Sequence, residues 1–86
     1  MTYNGWENRE TWLVNLWLTN EPETENDLRM LAQMSASAHW RADRLRDYVA
    51  DMMPETAGMA GDLLHTALAS VDWREIVENH EHDDQD

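Results

Sequence analysis

The chain has no cysteine, no lysine and no phenylalanine, and only two prolines and three glycines among its 86 residues. Without cysteine there is no disulfide framework and no thiolate zinc site of the kind that holds many small folds together. Apolar burial or a partner chain must do that instead. Without lysine, six arginines stand against 18 carboxylates, for a formal net charge of -12. Such a chain gains little from releasing the counter-ions of DNA or RNA, so direct nucleic-acid binding is disfavoured. No apolar run approaches the ~20 residues of a membrane span. The opening Met1-Thr2-Tyr3-Asn4-Gly5-Trp6 also lacks the basic-then-apolar order of a targeting segment. The expectation is a soluble, cytoplasmic protein with no membrane partner.

Hydrophobic residues make up 42% of the chain, too many for a wholly disordered acidic segment. A length below the ~100–200 residues of a typical domain limits the chain to one domain. That domain is expected over residues 1–79, all-α, followed by an acidic, fraying tail at 80–86. Asn8 is a candidate N-cap for a helix from Arg9 to about Thr19, with Glu10 at the positive end of its dipole. Trp12, Leu13, Val14, Leu16, Trp17 and Leu18 make this helix apolar on nearly every side, broken only by Asn15, which predicts a central position. Thr24 and Asp27 resemble a capping box for a second helix. Its stripe Leu28, Leu31, Ser35, Ala38, Ala42, Leu45, Val49 and Met52 steps by three and four up to Pro54, predicting about 30 residues and ~45 Å. Ser35-Ala36-Ser37 is where such a helix would break, and the small middle of the stripe, Ser35, Ala38 and Ala42, leaves room for indoles such as Trp12 and Trp17. A third helix is expected over about Gly61 to Ala69. A short fourth, capped by Asp72 and stapled by Val71 onto Ile76, should run from Trp73 to about Asn79. The fold is thus about four helices with a long second helix and a Trp-rich core.

Catalysis finds little to work with. A nucleophile needs a base and an orienting group, yet Ser35, Ser37 and Ser70 lie in or beside predicted helices, and no nucleophile elbow or phosphate loop is present. No enzyme activity and no cofactor are expected. His80, His82, Asp83 and Asp84 could gather a metal but read as a solvated tail, and His39 and His65 stand alone within helices, so no metal site is expected either. Trp40 differs from the indoles assigned to the core. It falls on the face of the second helix opposite the stripe, with Asp43, Asp47 and Asp51, and the column continues to Glu55 at a spacing of four. Like charges so placed destabilise a helix by about 0.2–0.5 kcal/mol per pair, partly offset here by Arg44 and Arg46. A solvated face accounts for such a column as readily as a binding surface does. Glu21, Glu23, Glu25 and Asp27 crowd the start of the same helix, and Asp72, Glu75, Glu78 and Glu81 line the last one. Self-repulsion on this scale is easier to understand if a basic partner offsets it.

The run Tyr3-Asn4-Gly5-Trp6-Glu7-Asn8-Arg9-Glu10-Thr11-Trp12-Leu13-Val14-Asn15-Leu16-Trp17-Leu18 resembles a family of small acidic proteins of phages, prophages and plasmids. A second block, Gly61-Asp62-Leu63-Leu64, Ala67-Leu68, Val71-Asp72-Trp73 and Glu75-Ile76, matches it too. The resemblance implies a genomic setting, and in composition the chain is similar to DNA-mimic anti-CRISPR and anti-restriction proteins. The implied function is inhibition of a bacterial defence system, first of all by covering the basic DNA- or PAM-binding surface of a CRISPR surveillance complex. Its partner would be that basic complex, and the protein itself a monomer or homodimer in the bacterial cytoplasm. The residues expected to make contact are Asp43, Asp47, Asp51, Glu55, Trp40, Glu21, Glu23, Glu25, Asp27, Glu75 and Glu78. The shared blocks hold mainly core and cap residues, so they are expected to encode the fold. The alternative is a helical accessory protein of a mobile element, its charge serving solubility and its partner not a DNA-binding protein.

Overall fold

The computed structural model describes residues 2–81, which form five helices: Arg9–Asn20 (α1), Pro22–Ala32 (α2), Ala38–Met52 (α3), Gly58–Ala69 (α4) and Trp73–Asn79 (α5). The all-α architecture is as expected. The count is five because the long second helix is two helices. Ser37 is in an extended conformation and its Oγ accepts from the Trp40 amide at 3.1 Å, which starts α3 afresh. Serine hydroxyls offer the backbone such alternatives to continued helix. Arg41 then bridges the gap, donating from Nε to the Ala36 carbonyl at 3.0 Å and from its terminal nitrogens to the Ala32 carbonyl and the Glu81 carboxylate. It thereby fills the Ala32 carbonyl, which the end of α2 leaves without a helical partner, and a carbonyl of the link. The periodic stripe persists across the break because both helices turn the same side inward, burying Leu28, Ala32, Ala42, Leu45 and Val49.

Asn8 caps α1 by accepting from the Thr11 amide at 2.9 Å, and Asp72 caps α5 through the Glu75 amide at 3.0 Å, both as expected. The start of α2 is corrected. Pro22 occupies its first turn, where a missing N–H costs nothing. Thr24, expected as the cap, instead donates its hydroxyl back to the Leu18 carbonyl at 2.6 Å, tying α2 to the end of α1. Ahead of α1, Tyr3 and Trp6 exchange backbone hydrogen bonds of 2.7 and 2.8 Å around Asn4 and Gly5, both at positive φ. An Asn-Gly pair is the sequence form of such a turn.

The core is aliphatic, and the expected cluster of indoles is corrected. Ile76 and Val77 of the short α5 lie at its centre with Leu28 and Leu45, surrounded by Leu18, Val49, Val71 and Trp73. Trp73 is buried as expected, but Trp6 and Trp12 are half-buried, Trp12 against the Tyr3 ring at 5.2 Å, and Trp17 is 63% exposed. The reason is that α1 lies at the edge of the fold. Only one side of it meets α2 and α5, so Leu13, Leu16 and Trp17 face outward despite the all-round apolar pattern. The most extensive helix pairing is that of α3 with α5, with Ala42 of α3 in the core. Helix α4 buries no residue at all. No helix among the described residues is long and apolar enough to cross a membrane.

Candidate functional site

Trp40, Asp43, Asp47 and Asp51 share the outer face of α3 because α3 is continuous from Ala38 to Met52 and turns Ala42, Leu45 and Val49 inward. Trp40 is 42% exposed and the Asp43 and Asp47 side chains are about half exposed. Neighbouring side chains partly serve them. Arg44 lies 5.6 Å over the Trp40 ring and donates to Asp47 at 2.9 Å, Arg46 approaches Asp47 at 3.9 Å, and His39 stands 3.5 Å from Asp43. Asp51 has no ion pair among the described residues. Chemically this is an aromatic plate with carboxylates along one helix, able to accept charge-assisted hydrogen bonds from a partner's arginines. Glu55 does not extend the column on the helix, since Met53 caps α3 and Glu55 sits in the extended segment that follows.

The other acidic residues are distributed. Asp27 of α2 accepts from the Tyr48 hydroxyl at 2.8 Å, tying α2 to α3. Burial, then that hydrogen bond and the charges of Asp27 and Glu23, push the Tyr48 pKa up to about 12. Glu23 and Asp27 therefore flank the α3 face through Tyr48. Glu25 lies 3.9 Å from Arg29 within α2. Glu21 stands in the link between α1 and α2. Glu75 and Glu78 are on α5, which packs against the inner side of α3, so the core separates them from the aspartate column. Glu75 accepts from the Glu7 amide at 3.0 Å and Glu78 pairs with Arg74 at 2.9 Å.

The two sequence blocks meet at one corner. Thr11, fully buried, donates its hydroxyl to Asn8 Oδ1 at 2.7 Å and accepts from the Asp72 amide at 2.8 Å, while Asn8 Nδ2 donates to the Ser70 carbonyl at 2.7 Å. The start of α1 is thus fastened to the link between α4 and α5. His80, expected at the start of a fraying tail, is buried and lies 2.7 Å from Asn15 Oδ1. That contact explains why a polar residue interrupts α1. The rest of the expected tail, His82 to Asp86, lies outside the described residues, and no group of His, Cys, Asp or Glu suited to a metal occurs among the described ones.

Sequence reasoning missed a second surface. An open groove of about 430 Å³ runs between α1, the end of α3 and α4, reaching the buried Leu18, Val49 and Val71 and lined above them by Leu13, Trp17, Met52, Met53, Leu64 and Leu68, with Glu10 and Glu21 also in its lining. The signal was available in the all-round apolar pattern of α1, which was assigned to burial within the core. No curated protein and no solved structure matches the chain. The model of DUF7249, described as a family of unknown function, matches residues 1–84, and the chain belongs to that family.

Proposed function

We propose that this protein acts by binding a basic protein partner, and that the partner is a DNA-binding component of a bacterial defence system, with a CRISPR surveillance complex as the first version to test. The observation that carries this reading is the α3 outer face, where Trp40, Asp43, Asp47 and Asp51 stand partly or wholly exposed in one row on a chain of net charge -12. A partner's arginines would take over from Arg44, pairing with the aspartates and stacking on the indole. Glu23 and Asp27 extend the negative field on the α2 side. The distribution of Glu21, Glu75 and Glu78 over other parts of the fold favours a second reading, an accessory protein whose charge serves solubility.

Competition separates the two. On one purified CRISPR surveillance complex, the protein is expected to displace target DNA, and replacing Asp43, Asp47 and Asp51 together by Asn is expected to abolish displacement without loss of helix content. Added salt should weaken the protein's binding less steeply than that of DNA, because folded carboxylates carry no condensed counter-ion layer to release. Simultaneous binding of DNA and protein at saturation would remove the competitive mechanism, and the accessory reading would take its place.

A further inference from the structure

The groove between α1 and α4 descends to the core residues Leu18, Val49 and Val71, yet several of its apolar residues lie side by side on the surface. Trp17 is 63% exposed, Met52 46%, Leu13 38% and Met53 36%. A concave groove with an almost wholly apolar lining is the usual form of a binding site. Its edges are acidic: Glu10 and Glu21 line it, and no arginine does. They stand eleven positions apart at opposite ends of α1, ~16 Å along its axis at 1.5 Å per residue.

We propose that this groove takes an amphipathic helix of another protein, about three turns long, with apolar side chains at i, i+3 or i+4 and i+7 and an arginine or lysine at each end of that stripe. The apolar residues would enter between Leu13, Trp17, Met52 and Leu68, the common mode of helix-in-groove recognition. The flanking cations would meet Glu10 and Glu21. Charge selects this occupant over the others. A second copy would bring its own charge of -12, and its most open apolar helix, α4, carries Asp62 and no arginine. Anionic lipid surfaces repel the same rim. The inference stands independently of the aspartate face of α3.

The probe is a synthetic 14-residue helix with leucines at positions 3, 6, 7 and 10 and lysines at both ends, titrated against the full chain by fluorescence anisotropy of a label on the peptide. Two controls share its design: a scrambled sequence of equal composition, and a version with glutamate in place of lysine. The expected result is saturable binding of the first peptide, at least about tenfold stronger than that of either control. Trp17→Ala, and separately Met52→Gln, should each lower the affinity by about tenfold with an unchanged circular dichroism spectrum, since both side chains are exposed. Glu10→Gln with Glu21→Gln should weaken it and flatten its salt dependence, whereas Asn at Asp43, Asp47 and Asp51 should leave it within about twofold, as those residues do not line the groove. No binding, equal binding of the scrambled peptide, or indifference to both Trp17→Ala and Met52→Gln would overturn the proposal. So would sedimentation equilibrium finding a dimer that Trp17→Ala disperses, which would assign the groove to a second copy.

Discussion

Thr11 and Tyr48 are two of the side chains whose polar groups decide how separate segments meet. The Thr11 hydroxyl has one proton and it goes to Asn8, leaving its lone pairs for the Asp72 amide, so one buried atom links the α1 cap to the α5 cap. Thr11→Val keeps the shape but leaves that amide without its acceptor, and buried unsatisfied groups cost about 1–3 kcal/mol. The variant is expected to lose that much in urea unfolding with an unchanged m-value, and a loss below about 0.5 kcal/mol would mean that water replaces the hydroxyl. Tyr48 supplies a pH test. Its folded pKa, about 12, lies above the ordinary value of 10.0, so the neutral phenol is the form the fold favours. The stabilisation is therefore fully present below pH 10 and is lost as pH rises from about 10 to about 12, amounting to on the order of 2 kcal/mol. Tyr48→Phe should flatten that part of the stability curve, and a curve that falls equally in both proteins would assign the loss to groups other than Tyr48.

At the scale of elements, α4 is held by its ends more than by its faces. Gly61, in its first turns, comes so close to the preceding extended segment that an added Cβ would lie 2.6 Å from the Thr56 carbonyl oxygen. Helix propensity alone favours alanine there by about 1 kcal/mol, but a backbone oxygen cannot step aside as a flexible side chain can. Gly61→Ala is expected to lower the melting temperature and speed amide exchange around residues 54–64. A raised melting temperature would mean that the segment yields without cost. What could be read from the sequence divides along the same line. Asn8, Asp72, the boundaries of α1 and the core stripe on α2 and α3 were legible because capping and periodicity are local. The break after Ala32 was harder, since two helices burying the same side preserve the period of one, and Arg41 acts across the chain fold to Ala32, Ala36 and Glu81. The burial of α1 was misjudged for a related reason: periodicity says which faces are apolar, whereas the number of neighbours decides which of them find cover. The aspartate row on α3 follows from spacing within one helix, but the groove is made by α1, α3 and α4 together, and the apolar pattern of α1 announces one wall of it without the others.

For the molecule as a whole, the balance between ion pairs and net repulsion fixes the sign of a salt effect. The described arginine–carboxylate pairs of α2, α3 and α5 are largely half exposed, where such pairs contribute at most about 1 kcal/mol each. The Arg41–Glu81 contact at 2.7 Å has a nearly buried guanidinium and is screened much less. Against these stands a net charge of -12 on a fold with a radius of gyration of 13.0 Å, comparable with the Debye length of about 10 Å at 0.1 M salt. Repulsion therefore outweighs the exposed pairs, and sodium chloride from about 10 mM to about 0.5 M should raise the melting temperature in calorimetry. Replacing Asp43, Asp47 and Asp51 by Asn takes the charge from -12 to -9 by removing three negative charges. It also removes the contacts of Arg44 and Arg46 with Asp47, but the two like-charge contacts at a spacing of four disappear with them. That variant should melt no lower than the parent at low salt and gain less from added salt. A melting temperature that falls with salt in both proteins would mean that the ion pairs dominate, and the excess of carboxylates would then carry no stability cost for a basic partner to relieve.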